Sequence, residues 1–568
     1  MGANLIIHTF NYNTKSLASI FIFVLNMSKS IIPLLLISIL IFSCQDNPDE
    51  DHSSYNSIST YMPVKLVTDL DALSQVEKNM LPHLFEAADI MNDLFWVQAY
   101  GDKESLLASI SNPKLRAFAE INYGPWDRLN DNAPFLDNVE LKPLGSNFYP
   151  SDMTKEEFEE LGLLDEKGLY SMIRRDEVGK LYSIPYHEFF REKLEEVSGH
   201  LLEAAEICED VELKKYLQLK SKALLTDNYT ESDIAWINMR NNTLDIIIGP
   251  TEHYEDALYN YRTAYEAYIL VKDKAWSKKL EKYVNLLPQL QAELPVLKEY
   301  KQETPNTDAA QLNAYDVIFY AGDCNSGSKT IAVNLPNDEE IQIKYGTRRS
   351  QLKNAMKAKF DHILLPISDI LIEKNQRKHI TFNAFFSNTM FHEVAHGLGI
   401  KETVNGKGSV REALGETFSA LEEGKADILG LHMITQLKEK GLIEEGELMD
   451  YYVTFLAGIF RSVRFGASSA HGKANMLRFN YFKDHNAFTR NNDGTYAVNF
   501  EEMKKAIIEL SSLIIKLQGD GDKARVQEMM TNNGVIKEAL QKDLDRLSDA
   551  SIPVDIVFEQ GLDVLGMN

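Results

Sequence analysis

Cysteine is scarce in this chain: Cys44, Cys208 and Cys324 are the three in 568 residues. So few cannot form a disulfide framework. None has a CxxC neighbour, which argues against thiolate zinc ligands. Whether Cys208 and Cys324 pair is left open by the sequence. Cations are in deficit too, with Lys plus Arg 59 against Asp plus Glu 84, a formal net charge of −25. That balance argues against nucleic acid as the main partner, because a phosphate-binding surface needs clustered cations. The apolar run Ile31–Ser43 (IIPLLLISILIFS) is too short for a comfortable membrane crossing, which takes about 20 residues. There is no internal repeat, and the polar stretch 45–60 is the one low-complexity tether. The chain is 44% hydrophobic and 25% charged, which argues against wholesale disorder, and its length implies two or more lobes.

The N-terminus reads as an export signal. Met27 opens the run MSKS, the apolar segment follows, and Cys44 precedes the acidic stretch QDNPDEDH. A short cationic head, an apolar segment and a small residue before the break are the elements of a signal peptide. Ile41-Phe42-Ser43-Cys44 resembles a bacterial lipobox, in which the Cys becomes the lipidated first residue. The expectation is an outer-membrane or periplasm-facing lipoprotein of a bacterial cell envelope, touching membrane only through lipid on Cys44. Residues 1–26 then form an upstream extension.

Helical spacing of apolar residues dominates the body, over about 65–120, 154–225, 255–302 and 500–547. Thr154, three residues before Glu157, reads as a capping box. Leu244–Ile248, Tyr315–Tyr320 and Thr330–Leu335 are short, apolar and bounded by turn residues, as strands are. The expected fold class is mainly α with a small β region (α+β).

The chemistry concentrates in TMFHEVAHGLG, residues 389–399. Residues four apart on a helix share a face, so His392 and His396 can hold one ion through neutral imidazole nitrogens. Glu393, one step round, can reach a water activated at that ion and act as its general base. A second helix, REALGETFSALEEGKADILGLHMI, carries Glu416, Glu422, Glu423 and Asp427 in an apolar pattern. Glu423 and Asp427 are four apart, so one can ligate while the other accepts an imidazole N–H. Glu422 and Lys425, taken alone, read as ordinary surface charges.

These residues carry a resemblance. HEVAHGLG followed by ALEEGKADILGL resembles the dipeptidyl peptidase III family of zinc exopeptidases, which pairs a His–Glu–His helix with a downstream EECRAE-like helix. IGPTEHYED (248–256), AVNLPNDE (332–339) and SAHGKANMLRF (469–479) are similar to further segments of that family, in its order. The closing IPVDIVFEQ (552–560) is similar to the subfamily that also occurs fused to Nudix domains in plants. The plain HEVAH lacks the extra residue of the best-studied members and so points to the short HExxH branch. Asn475 stands where the animal enzymes have an arginine.

The resemblance implies one Zn2+ per chain on His392, His396 and Glu423, with Glu422 and Asp427 orienting the histidines. It implies Tyr254 and His471 as catalytic donors to the oxyanion beside Glu393, and Glu252, Asn334 and Asn337 as substrate-binding residues. It implies two lobes separated by a wide cleft, with the zinc site in the helical lobe. The expected divisions are a signal at 1–43, a tether at 44–60 and a first lobe at 61–272. A first zinc-lobe segment at 273–311 and a return to the first lobe at 312–355 follow, then the zinc lobe at 356–540 and a C-terminal segment at 541–568. The expected activity is release of N-terminal dipeptides from short peptides. The alternatives are another zinc amide hydrolase or aminopeptidase, and a non-catalytic peptide-binding lipoprotein.

Overall fold

A computed structural model describes residues 61–567, except 163–167, 302–309, 337, 339, 340, 342, 343 and 468. Cys44 and Asn337 therefore lie outside the described residues.

The architecture is mainly helical with a smaller share of sheet, arranged around two hydrophobic cores. The first core draws on 66–271 and 315–355, and the second on 280–314 and 356–556. In the first, helices α1 (Gln75–Ala99), α2 (Arg191–Ile207) and α3 (Val211–Leu224) accompany a five-stranded sheet. Its strands are β1 (Leu244–Glu252), β2 (Ala264–Lys272), β3 (Ala310–Gly322), β4 (Ala332–Leu335) and β5 (Thr347–Leu352). They lie in the order β1-β2-β3-β5-β4. The pair β3–β5 is parallel and the other pairs are antiparallel, so β4 is an edge strand. A further parallel pair, Tyr61–Lys65 with Asp555–Glu559, joins the two ends of the described chain.

Local chemistry explains where the elements begin. Ser74 and Glu77 close a full capping box at the start of α1, which satisfies two otherwise orphaned backbone donors. Thr154 does cap a short helix, but the Glu157 carboxylate pairs with Arg175 instead of returning to the cap.

Two of the helical expectations need correcting. The stretch 255–302 is not helical throughout, since β2 occupies Ala264–Lys272 with all nine residues buried. A strand covered on both faces shows no apolar–polar alternation, and AYEAYILVK mimics a helix by spacing. The stretch 154–225 likewise contains a hairpin, Ser171–Arg175 with Leu181–Pro185. Cys208 and Cys324 are both buried and free, so they do not pair.

The second core packs helices α4 (Phe382–Ala395), α5 (Phe418–Glu439), α6 (Leu448–Val463), α7 (Ala470–Asp484) and α8 (Phe500–Asp520). Among the described residues, no helix is long and apolar enough to cross a membrane.

Candidate functional site

Close approach of α4 and α5 builds the site. A Cβ on Gly430 would meet the backbone of Phe391 and His392 at 2.9 Å, so only glycine lets the axes come this near. The approach sets Glu423 and Asp427 against the histidines. Helix α4 starts on Thr381, whose side chain accepts from the Ala384 amide, and ends at Ala395 with His396 as its cap. Beyond it, Gly399 has φ +94°. Its amide donates to the Gln291 side chain at 2.9 Å, and its carbonyl accepts from it at 2.7 Å.

Each histidine is held through Nδ1. His392 Nδ1 is 2.7 Å from Asp427 Oδ1, and His396 Nδ1 is 3.1 Å from Glu422 Oε1. Those carboxylates are themselves anchored. Asp427 Oδ2 accepts from Arg478 Nη2 at 2.5 Å. Glu422 takes Lys425 Nζ at 2.7 Å and Gln518 Nε2 at 2.8 Å. Burial alone would push both carboxyls up; Lys425 and His396 hold Glu422 at about 2, and Arg478 and His392 hold Asp427 at about 2.

With Nδ1 committed to a carboxylate, both Nε2 atoms face inward. They are 3.2 Å apart, and Glu423 Oε2 lies 3.4 Å from His392 Nε2 and 3.9 Å from His396 Nε2. That oxygen is buried without a well-aligned hydrogen bond, although His471 Nε2 is 3.1 Å away. Three donor atoms so converged, beside three carboxylates and two fixed cations, call for a positive charge among them. Burial opposes charge on His392, but Asp427 and Glu423 raise its pKa well above the ordinary value, so the surroundings favour a positive charge here. A divalent ion meets the same demand, since tetrahedral ligands at about 2.0–2.2 Å from an ion sit roughly 3.3–3.6 Å apart. The residues present therefore fit a metal ion.

Among the described residues, two other His/carboxylate groups come within ligand range, His83–His200–Glu203 and His379–Glu447–Asp450. In the latter, the Glu447 and Asp450 side chains already cap the start of α6. Glu416 sits on a turn, 71% exposed at its side chain and paired with Lys523, away from the histidines.

Glu393 lines a cavity of about 290 Å³ together with His392, Asp427, His471 and Asn475. Ser469 caps α7 by accepting from the Gly472 amide, which sets His471 in the first turn. The His471 side chain is 65% exposed.

The sheet residues stand apart from this cluster. Asn334, on edge strand β4, pairs in register with Arg349, and its side-chain carbonyl is buried without a partner. Glu252 ends β1 beside Glu266 and Asp323. Burial and nearby carboxylates, Glu255 and Glu252 among them, push Asp323 up to about 7 against the pull of Arg128. Tyr254 is 80% exposed. The Glu252 charge raises its phenol to about 12, with burial and Glu423 adding to the shift. No hydrogen bond joins Tyr254 to the histidine cluster among the described residues.

Two residues of the site went unrecognised in the sequence. Lys425 is not a surface charge: it is 3% exposed, and its Nζ also donates to Leu398 O at 2.9 Å. Glu422 likewise faces inward. Arg478 lies seven residues after His471, two helical turns on, so the spacing alone could have drawn attention to it.

Comparison with known proteins bears on this geometry. The family described as "Peptidase family M49" matches residues 180–411. An Arabidopsis thaliana protein named Nudix hydrolase 3 is 35% identical, over 90% of this chain and 74% of that protein. The solved structure of DPP III from Caldithrix abyssi superposes with a TM-score of 0.86 at 36% identity. It covers 90% of this chain and 99% of its own. Dipeptidyl-peptidase III from Corallococcus sp. strain EGB gives 0.79 at 34% identity, with 89% and 96% covered.

Proposed function

The chain belongs to peptidase family M49, and from that premise we propose that it is a zinc exopeptidase releasing dipeptides from the N-terminus of short peptides. One observation carries this reading: His392 Nε2, His396 Nε2 and Glu423 Oε2 converge on one point beside a cavity that Glu393 also lines. Two imidazoles and a carboxylate, with room for a further ligand, form a catalytic zinc set. When bound, the ion supplies Lewis acidity, acidifying water and polarising a carbonyl.

The chain's own residues do the rest. Glu393 accepts the proton of the attacking water and returns it to the departing amine. Asp427 and Glu422 fix the imidazole tautomers, so that Nε2 presents its lone pair. His471, and Tyr254 once the lobes close on a substrate, donate to the oxygen on which charge develops. Edge strand β4 offers backbone groups to an extended peptide, with Asn334 and Asn337 holding its first residues. Glu252, in its acidic surroundings, takes the free ammonium.

The test is mass spectrometry of short peptides, free and N-acetylated, incubated with the metal-loaded protein. Free peptides are expected to yield dipeptides. Acetylation leaves Glu252 without its cation, so cleavage should drop at least about tenfold, and Glu252→Ala should narrow that gap. Release of single amino acids would indicate an aminopeptidase. Equal cleavage of acetylated and free peptides would sink the exopeptidase reading and leave the metal chemistry standing.

We further propose that lipid on Cys44 holds the mature chain at a membrane, on the strength of the apolar run before that residue. Cys44→Ala is expected to move the protein from the membrane to the soluble fraction. Retention in the membrane would make the segment an anchor in its own right.

A further inference from the structure

The cavity beside Glu393 holds a cation with no counterion among the described residues. Arg461 lies in the last turn of α6 and lines this space with His392, Glu393 and His471. Its Nε is buried without a hydrogen-bond partner. No ion pair reaches its guanidinium among the described residues, and the Phe385 ring lies 5.6 Å from it. Glu393 shares the space but makes no ion pair with it among the described residues, and three further charges nearby are committed elsewhere. Asp555, whose field Arg461 feels, is paired with Lys359 at 2.9 Å. Arg478, in the same wall, is held by Asp427. Arg464, one turn on from Arg461, donates to the carbonyls of Pro553 and Val554.

A half-buried guanidinium whose Nε is shut off from water favours an anion beside it, and its planar fork matches a carboxylate with two parallel hydrogen bonds. The space is ample, since one ordered water needs roughly 10–15 Å³. Strand β4 gives the direction. Its Asn334 end belongs with the amine-binding side, whereas Ile331 and Ala332, at its other end, line the Arg461 cavity. With the amine at the Asn334 end, as proposed above, the part of the peptide beyond the scissile bond would fall on this side.

We propose that Arg461 binds a carboxylate of the departing segment, so that the enzyme selects short peptides whose C-terminus, or an acidic side chain, falls just past the scissile bond. The proposal rests on the peptidase reading of the site.

The test compares tetra-alanine as free acid and as C-terminal amide, and amidated peptides with Glu or Gln in the third position. Each is assayed on the metal-loaded wild type, Arg461→Gln and Arg461→Lys. Wild type should favour free acid over amide by about 10- to 100-fold in kcat/KM, the range of a charge-assisted hydrogen bond. Arg461→Gln should bring the free-acid kcat/KM down to that of the amide and so abolish the ratio, and Arg461→Lys should keep part of it. Preference for Glu over Gln with the amidated end would assign the acidic side chain as a source of the carboxylate; preference confined to the free acid assigns the C-terminus. Calorimetric binding of Ala-Ala and its amide gives a readout independent of hydrolysis. If nothing is cleaved yet acid-selective binding disappears in Arg461→Gln, the peptidase reading fails and the anion site stands. An acid-to-amide ratio unchanged in Arg461→Gln overturns the proposal. Should that variant not fold, an unchanged ratio in the uncharged Arg461→Met does the same.

Discussion

Glu393→Gln is expected to lower turnover by about 10²–10⁴-fold, the usual loss on removing a general base, while metal content stays at the wild-type level. The amide keeps the size and polarity of the side chain but cannot take the proton of the attacking water. Glu393 lies on α4 next to His392 and lines the same cavity, but it is not among the three converging donors. The substitution therefore separates proton transfer from metal binding. Single-turnover assays alongside metal analysis check it. Near-normal turnover would remove Glu393 from the mechanism, and loss of metal would make it a ligand.

Glu423→Ala should act on the other half of the pair. Removing the carboxylate leaves two imidazoles and an incomplete donor set. Since disrupting the supporting residues of a metal site costs about 10- to 100-fold in affinity, loss of a direct ligand should cost at least about 100-fold. Metal retained after exhaustive dialysis should fall far below one ion per chain, and activity with it. Asp427→Asn provides the contrast. The histidine remains in place with a weaker acceptor at Nδ1, so the loss should be smaller. Full occupancy in Glu423→Ala would mean that another carboxylate completes the set. Glu416, exposed and paired with Lys523, does not group with the two histidines.

What the sequence showed and what it hid follow from the range of the forces involved. HEVAH was legible because two ligands four residues apart need only one helical turn. The acidic helix after it was legible because Glu423 and Asp427 interrupt an apolar pattern at the same spacing. β2 was misread because a strand buried on both faces has no polar alternation to give it away. Lys425 looked like a surface charge, since nothing local reveals that α5 turns it towards Glu422 and the carbonyl of Leu398.

The sequence by itself determined the two short-range units: a helix carrying His392, Glu393 and His396, and a helix carrying Glu422, Glu423 and Asp427. Helical periodicity sets which side chains share a face whatever surrounds the helix. Only the tertiary structure decided how those faces meet. Gly430 lets α5 approach α4 closely enough for Glu423 Oε2 to lie 3.4 Å from His392 Nε2, a contact across 31 residues of sequence (423 − 392 = 31) that no local pattern encodes. The same holds for Arg461. Its identity is plain in the sequence, but its lack of a counterion among the described residues depends on Asp555 being taken by Lys359, 196 residues from it in sequence, which packing alone arranges.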